Sequence, residues 1–414
     1  MNRIDAAWLK DESLQKLLAV LSTDGEEARI AGGAVRNALL GQDVADVDVA
    51  TTTVPDETIR RAKEAGFKVV PTGYEHGTVT VIAAGKPFEV TTLRADVETD
   101  GRHAKVQFGR DWSADAARRD FTINAIYAQA DGNIVDLVEG VKDIETGTLR
   151  FIGDAEKRIR EDYLRILRFF RFYAWYGRGR PDPEGLKACT RLKDGMRKLS
   201  AERVWMELKK LLSAPDPSRS LLWMRQTGVL TTILPESEKW GIDTIHGLVE
   251  AERVLHWERD MMLRLASMLP PDPERMRELA KRLRLARQEA DQLELWAGTP
   301  MPSHSASEGE FRKTLYLNDV QGLIWRLKLA IVTERSRVTE DAAALEKLAG
   351  YQRLLKVVQA WERPQFPVTG KDLLAIGFEP GAEVGKTLSR LEQEWVESGF
   401  GITKEDMLAK VASR

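Results

Sequence analysis

GGAVRNALLGQDVADVDVAT, residues 32–51, is the stretch on which the reading of this chain turns. Its second half places Asp46 and Asp48 one residue apart among Val44, Val47 and Val49. β-Branched residues favour an extended strand there. Side chains two apart on a strand point to the same face, so both carboxylates are expected to project together. Two anions held that close repel unless a cation sits between them. Oxygen ligands with no neighbouring Cys or His suit Mg²⁺. Ahead of them, Gly32 and Gly33 carry no side chain, and such a backbone can approach a phosphate closely. Either half alone is a weak signal, because a lone DxD is often a surface loop and a glycine pair is often only a tight turn. Together they point to metal-assisted chemistry on a nucleoside triphosphate.

Composition bounds the rest. At 414 residues the chain is too long for one compact core, and roughly two to four domains are expected. A hydrophobic content of 43% with 30% charged residues is that of an ordinary soluble protein. The single cysteine, Cys189, rules out an internal disulfide and fits a reducing compartment, so a cytoplasmic location is expected. MNRIDAAWLKDES at the start has no apolar core for a signal peptide, and no run of 18 apolar residues exists to enter a membrane. A net charge of −2 argues against a wholly basic nucleic-acid coat, yet residues 157–180 hold eight basic and two acidic residues. For a polyanionic partner the local field matters more than the total.

Residues 1–24 read as an amphipathic helix with Trp8, Leu14, Leu17, Leu18 and Leu21 on its apolar side. Strands are expected at 79–84, 88–93 and 134–138, between turn signals such as AAGKP and QADGN. From about residue 151 strand signals nearly vanish and helical spacing dominates to 414. Proline-rich breaks fall at 180–185, 213–218, 269–274, 298–304 and 363–370. The expected fold class is α+β in the first part, with a small sheet, followed by a long helical body. No internal repeat or low-complexity segment is evident.

Three further constellations carry chemistry. Glu89, in KPFEVTTLR, sits in a run expected beside the Asp46–Asp48 strand, with Phe88 and Val90 facing a core on the other side. It is either an edge-strand glutamate facing water or a third acid that orients or deprotonates an attacking hydroxyl. In RRDFTINAIY, residues 118–127, Arg118 and Arg119 offer guanidinium forks for phosphate or ribose oxygens. Asp120 can orient an arginine or accept from a hydroxyl, and Asn124 can bond either way. Structurally the same run reads as a helix start capped by Asp120 and continued by a core helix containing Phe121, Ile123 and Ile126. In EDYLRILRFFRF, residues 161–172, Glu161, Asp162, Arg165 and Arg168 lie at helical neighbour spacing and Arg171 extends the stripe. Such spacing usually means a salt-bridged surface helix. Here Phe169, Phe170, Phe172, Tyr173, Trp175 and Tyr176 interleave with it, which also suits a nucleotide or RNA platform, although most of these aromatics read as core.

Taken in order, GGAVRN, ADVDVAT, YEHGTVTV, FEVTTLR, DGRHAKVQF, RRDFTINAI, EDYLRILRFFRF and SAERVWMELKKLL resemble the tRNA nucleotidyltransferases, or CCA-adding enzymes, whose superfamily includes bacterial poly(A) polymerases. The resemblance is specific over residues 26–212, thin over 213–360 and faint again in VTGKDLLAIGFEPGAEVGKTL, residues 368–388. It implies a polymerase-beta-like nucleotidyltransferase head with a small mixed sheet at 1–150, a helical neck at 151–212, a body at 213–298 and a tail at 299–414. By the same resemblance Asp46 and Asp48 bind the metal, and Glu89 is the third acid. Gly32, Gly33 and Arg36 form the turn that contacts the triphosphate. Arg119 with Asp120 holds the sugar, and Asn124 belongs to the same nucleotide-binding set. Asp162 and Arg165 read the incoming base, with Arg168 and Arg171 behind them. The implied activity adds C, C and A to the 3′ end of tRNA from CTP and ATP, with Mg²⁺ as cofactor and with no membrane and no required protein partner.

Two departures stand out. Asn37 replaces the Asp that many relatives carry after the arginine, so no charge is available there. RDMMLRLASMLPPD, residues 259–272, lacks the His-Asp pair of the phosphohydrolase domain found in some relatives, and His246, His256 and His304 have no metal-ligand spacing. Phosphatase activity is therefore not expected. The alternatives are a poly(A) polymerase, an enzyme adding only C or only A, and a non-catalytic RNA-binding protein. The last gains nothing from two repelling carboxylates.

Overall fold

A computed structural model describes residues 3–100, 103–238 and 241–412, which fall into two compact units, Met1–Pro235 and Glu236–Arg414. In the first, seven strands form one mixed sheet: β1 (Ala28–Ala31), β2 (Asp48–Thr51), β3 (Lys68–Gly73), β4 (Thr78–Ala83), β5 (Lys86–Thr92) and, after a separate hairpin of β6 (Arg94–Asp100) and β7 (His103–Phe108), β8 (Ile126–Ala128) and β9 (Ile134–Asp136). The order is β3-β4-β5-β2-β1-β8-β9. Every neighbouring pair is antiparallel except β2 and β5, whose parallel register sets Asp48 beside Glu89.

Alternation decides which face is which. Val79, Val81 and Ala83 of β4 and Phe88 and Val90 of β5 are buried. They face the side covered by α1 (Glu12–Leu21) and α3 (Pro55–Glu64), between which lies α2 (Gly33–Leu39). Leu14, Leu17, Leu18 and Leu21 supply the apolar stripe of α1, as its spacing implies. Thr78 of β4, Glu89 and Thr91 of β5 and Asp48 of β2 look out of the opposite face. The N-terminal segment is not one helix: a 3-10 turn at Ala7–Lys10 precedes α1, which Asp11 caps through the amides of Ser13 and Leu14.

The expected strand around both aspartates is shorter than its valines suggest. β2 begins only at Asp48, and Asp46 lies in the irregular segment before it. The reason is the partner: Ala31 pairs with Asp48, and at Gly32, with φ of 66°, β1 turns into α2 and leaves nothing for Asp46 to pair with. RRDFTINAIY also departs from the expectation of a capped core helix. α4 (Trp112–Arg118) ends on its first residue, Thr122–Asn124 is a single 3-10 turn, and Ile126 and Tyr127 enter β8. Pairing with β1 overrides helical propensity here. In DGRHAKVQF, Gly101 and Arg102 lie outside the described residues.

Beyond β9 all regular structure among the described residues is helical. The first unit continues with α5 (Gly140–Thr146), α6 (Ala155–Glu161), α7 (Leu164–Tyr176), α8 (Pro183–Leu192), α9 (Ala201–Leu212), α10 (Ser218–Gln226) and α11 (Val229–Ile233). EDYLRILRFFRF is split: α6 ends at Glu161, Asp162 is extended with φ of −154°, and α7 starts at Leu164. Phe169, Phe170, Phe172 and Tyr173 are buried, which makes most of the aromatics core, as expected. In the second unit, Phe311, Leu315, Leu323, Leu327 and Leu354 anchor one core cluster and Tyr316, Leu373, Leu391, Trp395 and Met407 another. Asp260 caps a helix there and accepts from the Trp325 indole at 3.0 Å. Each expected break contains a helix end or start, and no helix of the described residues is long and apolar enough to cross a membrane.

Gly195, in the 3-10 turn Lys193–Lys198, gives way to the ring of Tyr163, the residue after Asp162; a Cβ at 195 would lie 2.0 Å from that ring. Gly195→Ala should lower stability by about 1–3 kcal/mol, the usual cost of forcing an extra carbon into packed structure, and urea unfolding would register it.

Candidate active site

The residues singled out in the sequence converge on one cavity of about 690 Å³ in the first unit. Its floor is the open face of the sheet, where Asp48, Glu89, Thr78 and Thr91 look up. Gly32, Gly33 and Arg36 line one side, Arg119, Asp120 and Asn124 another, and Asp162, Arg165 and Arg168 a third. Asp46, just outside the strand, and Arg171, one turn deeper, are not among the lining residues. Desolvation by the walls, then the charge of Glu89 and that of Asp46, push the Asp48 carboxyl above its ordinary value against the pull of Arg119. This repulsion and the all-oxygen donor set fit a divalent cation. Among the described residues no three His, Cys, Asp or Glu side chains converge on one point, so protein ligands alone do not complete a coordination shell.

At Gly32 the backbone φ of 66° disfavours any L side chain, and a Cβ there would also press on Arg119 Nη1 at 3.2 Å. At Gly33 a Cβ would make only an ordinary contact, 3.7 Å from Arg36 Nη2. Arg36 is buried, yet its bonding partners are neutral. Nη1 donates to Asn124 Oδ1, Nη2 donates to Asn37 Oδ1 and to the Tyr176 hydroxyl at 3.0 Å each, and the Tyr176 ring lies 4.3 Å beneath it. Asn37 thus does structural work that needs no charge. Burial draws the Arg36 guanidinium down from its ordinary value, but an arginine stays charged. Its positive charge is left for a ligand.

Arg119 is held differently. Its Nε and Nη2 both donate to Asp115 at 3.2 Å, and Nη1 donates to the Asn124 carbonyl at 3.1 Å. Asp115 also accepts from Arg118 Nε at 2.8 Å and from the Tyr127 hydroxyl at 2.6 Å, and is 1% exposed. One buried carboxylate therefore fixes two adjacent arginines and leaves the group with net positive charge. Asp120 is the second such node. Oδ1 accepts from the Phe121 amide and Asn124 Nδ2, and Oδ2 accepts from Arg168 Nε at 2.7 Å. That last bond ties RRDFTIN to α7.

On the α6–α7 joint, Arg165 Nη1 donates to Glu161 Oε2 at 2.5 Å and to the Arg158 carbonyl at 2.9 Å. Its Nε–Nη2 edge has no acceptor among the described residues. Asp162 accepts from the Leu164 amide at 3.1 Å and from Arg203 of α9 at 2.6 Å. Arg171 Nε donates to the buried Glu207, also of α9, at 2.6 Å. The stripe is thus not the self-paired surface helix that its spacing suggests: Arg168, Arg171 and Asp162 find partners far away in sequence. Asp115, Arg203 and Glu207 are the residues that the sequence reading did not single out, and Tyr176, named there only among the aromatics, proves to be a partner of Arg36. Asp115 stands three and four residues before the arginine pair, and Arg203 and Glu207 stand four apart within SAERVWMELKKLL. Those spacings are the only local signal they give.

Burial pushes the Asp115 carboxyl up, but Arg119, Arg118 and Tyr127 outweigh it and hold the group below its ordinary value of 3.8. A carboxyl depressed on folding stabilises the native state above its unfolded pKa and loses that contribution as pH falls through the folded one. Asp115→Ala should cost about 2–4 kcal/mol near neutrality by leaving the part-buried Arg118 and Arg119 and the buried Tyr127 hydroxyl without their shared acceptor. The deficit should shrink when unfolding is repeated at progressively lower pH below about 4.

Residues 28–150 match the family described as Poly A polymerase head domain, and residues 180–240 match the one described as Probable RNA and SrmB-binding site of polymerase A. Over nearly the whole chain the relatives are more specific. The mitochondrial CCA tRNA nucleotidyltransferase 1 of Danio rerio is 34% identical across 97% of this chain and 90% of its own length. The CCA-adding enzyme of Levilactobacillus brevis is 30% identical across 97% of both. The fold agrees with that of the Bacillus stearothermophilus CCA-adding enzyme in complex with CTP (TM-score 0.73, 24% identity, 97% of both chains). It also agrees with the Thermotoga maritima CCA-adding enzyme complexed with tRNA (TM-score 0.69, 19% identity, 100% of this chain and 99% of that one). With a nucleotidyltransferase head at its start and full-length relatives of one kind, the chain belongs to the family of CCA-adding tRNA nucleotidyltransferases.

Proposed function

We propose that this enzyme adds C, C and A to the 3′ end of tRNA from CTP and ATP, without a nucleic-acid template and with release of pyrophosphate. The observation that carries the reading is the single cavity in which Asp48 and Glu89 face a bare glycine turn, Arg36 and Arg119, while Asp162 and Arg165 stand across from them. The triphosphate lies along Gly32 and Gly33 between the two guanidiniums, whose charges stabilise the phosphoryl oxygens as negative charge shifts to the leaving group. Asp46 and Asp48 would hold Mg²⁺ together with phosphate oxygens and water, and the ion supplies a lowered pKa for the attacking 3′-hydroxyl and charge neutralisation on pyrophosphate. Glu89, beside Asp48 in register, orients that hydroxyl or accepts its proton. Arg119 and Asp120 hold the sugar, with Asn124 bridging Asp120 to Arg36.

Base choice rests on Asp162 and Arg165. A carboxylate accepts from the exocyclic amine of cytosine or adenine, and the free Nε–Nη2 edge of the arginine donates to the adjoining ring nitrogen or carbonyl. Uracil and guanine reverse that pattern and leave charged groups unpaired, at about 1–3 kcal/mol per lost contact. Arg168 and Arg171 stand behind this pair on α7. We further propose the division into a head at 1–150, neck at 151–212, body at 213–298 and tail at 299–414, and a cytoplasmic location, which the one buried cysteine, Cys189, suits.

Purified enzyme given tRNAs ending before CCA, after C and after CC, with labelled CTP or ATP separately, should stop after one correct CCA. Unlimited A addition would mark a poly(A) polymerase, and use of one nucleotide alone a partial enzyme. Asp46→Ala and Asp48→Ala should each abolish incorporation while leaving tRNA binding largely unchanged; undiminished incorporation by both variants would remove the acidic pair from the chemistry.

A further inference from the structure

We infer that Arg203, on α9, is a specificity-determining positioning residue: it locks the Asp162 carboxylate in one orientation so that the cavity rejects a base presenting an acceptor. The inference rests on reading the cavity as a CTP and ATP site. Asp162 occupies the short extended joint between α6 and α7, where no helical packing fixes its side chain. Two bonds do so instead. Oδ1 accepts from the Leu164 amide at 3.1 Å and Oδ2 from Arg203 Nη2 at 2.6 Å. An ionised carboxylate has about four acceptor positions, so these bonds leave acceptor capacity on both oxygens for a base. Both partners are only partly exposed, at 17% for the Arg203 side chain and 18% for that of Asp162, and Arg203 lines the cavity.

The consequence concerns the wrong base more than the right one. An exocyclic amine finds a carboxylate whether that group is fixed or free to turn toward it. A carbonyl oxygen in the same place is repelled only if the carboxylate cannot swing away. Clamping Asp162 therefore supplies the repulsive half of selectivity. A second contact on the same face of α9 follows the same plan. One turn after Arg203, Glu207 is buried and holds Arg171 Nε at 2.6 Å, with Arg168 Nη1 3.9 Å from its other oxygen. Thus α9 presents a cation to the acid and an acid to the cations of the base-reading segment, and acts as its backing. A plain inter-helix staple would use the same bond but would not change the ratio between nucleotides.

The full-length enzyme, a tRNA ending before CCA, and CTP or UTP supplied separately provide the test, with single-turnover rates and thermal melting measured for wild type, Arg203→Gln and Arg203→Lys. Arg203→Gln should reduce the CTP-over-UTP preference about ten- to a hundredfold, mainly by admitting UTP. Arg203→Lys keeps the charge without the rigid fork and should give an intermediate ratio, which carries the test alone if the glutamine variant does not fold. Equal loss for both nucleotides, or an unchanged ratio in the soluble variants, would overturn the inference. A wild type that does not prefer CTP would instead overturn the reading of the cavity, and that arm needs no variant.

Discussion

Like charges forced together in the sheet set the problem that the rest of the first unit answers. The one parallel pairing puts Asp48 level with Glu89, and Asp46 follows close by. Neither carboxylate on the sheet face has an arginine clamped to it, although arginines ring the cavity. The strand pairing, stabilised by the buried valines on the opposite face, holds Asp48 where burial and then the charge of Glu89 disfavour its ionisation. A carboxylate pair placed this way favours a cation beside it, in keeping with the metal-assisted reading proposed above.

The arginines show the complementary arrangement. Asp115, Asp120, Glu161 and Glu207 each hold guanidiniums from behind. Each pairing spends one edge of the arginine on the protein and leaves another toward the cavity or the next node. Long flexible side chains are thereby ordered before any ligand arrives, which lowers the entropic cost of binding. Arg36 is the exception that clarifies the rule. Its partners are asparagines and a tyrosine, so it is positioned as firmly as the others but is not neutralised. The Asn124 amide, shared between Arg36 and Asp120, and the Asp120–Arg168 pair join the glycine turn of the sheet to α7 in one polar network. Buried networks of this kind cost heavily when one member is removed, so substitutions at Asp120 or Asn124 should be read for stability as well as for turnover.

Much of this was legible in the chain itself. β-Rich runs at 79–84 and 88–93, apolar spacing in α1 and proline-rich breaks in the helical region are local signals, and each corresponds to an element or a boundary, though strand ends differ by a residue or two. The glycine turn and the acidic pair were legible because their chemistry needs particular residue types close together in sequence. Errors arose where a distant partner decides. Asp46 lies outside β2 because β1 turns away at Gly32, and RRDFTIN abandons its helical reading because Tyr127 and Ala128, just after it, complete a ladder with Ala31 and Ile30.

By itself, then, the order of residues determined which groups this protein would bring to its cavity: two acids and a glutamate, a glycine pair with arginines, and an Asp-Arg pair at the start of a helix. Only the tertiary structure decided which of those charges are spent inside the protein and which remain for a ligand. Arg203 and Asp162 are 41 residues apart, and Arg168 and Asp120 are 48 apart. Helical periodicity and strand alternation describe neighbours within a few residues, whereas ion pairing is settled by proximity in space and by burial, neither of which a linear pattern encodes.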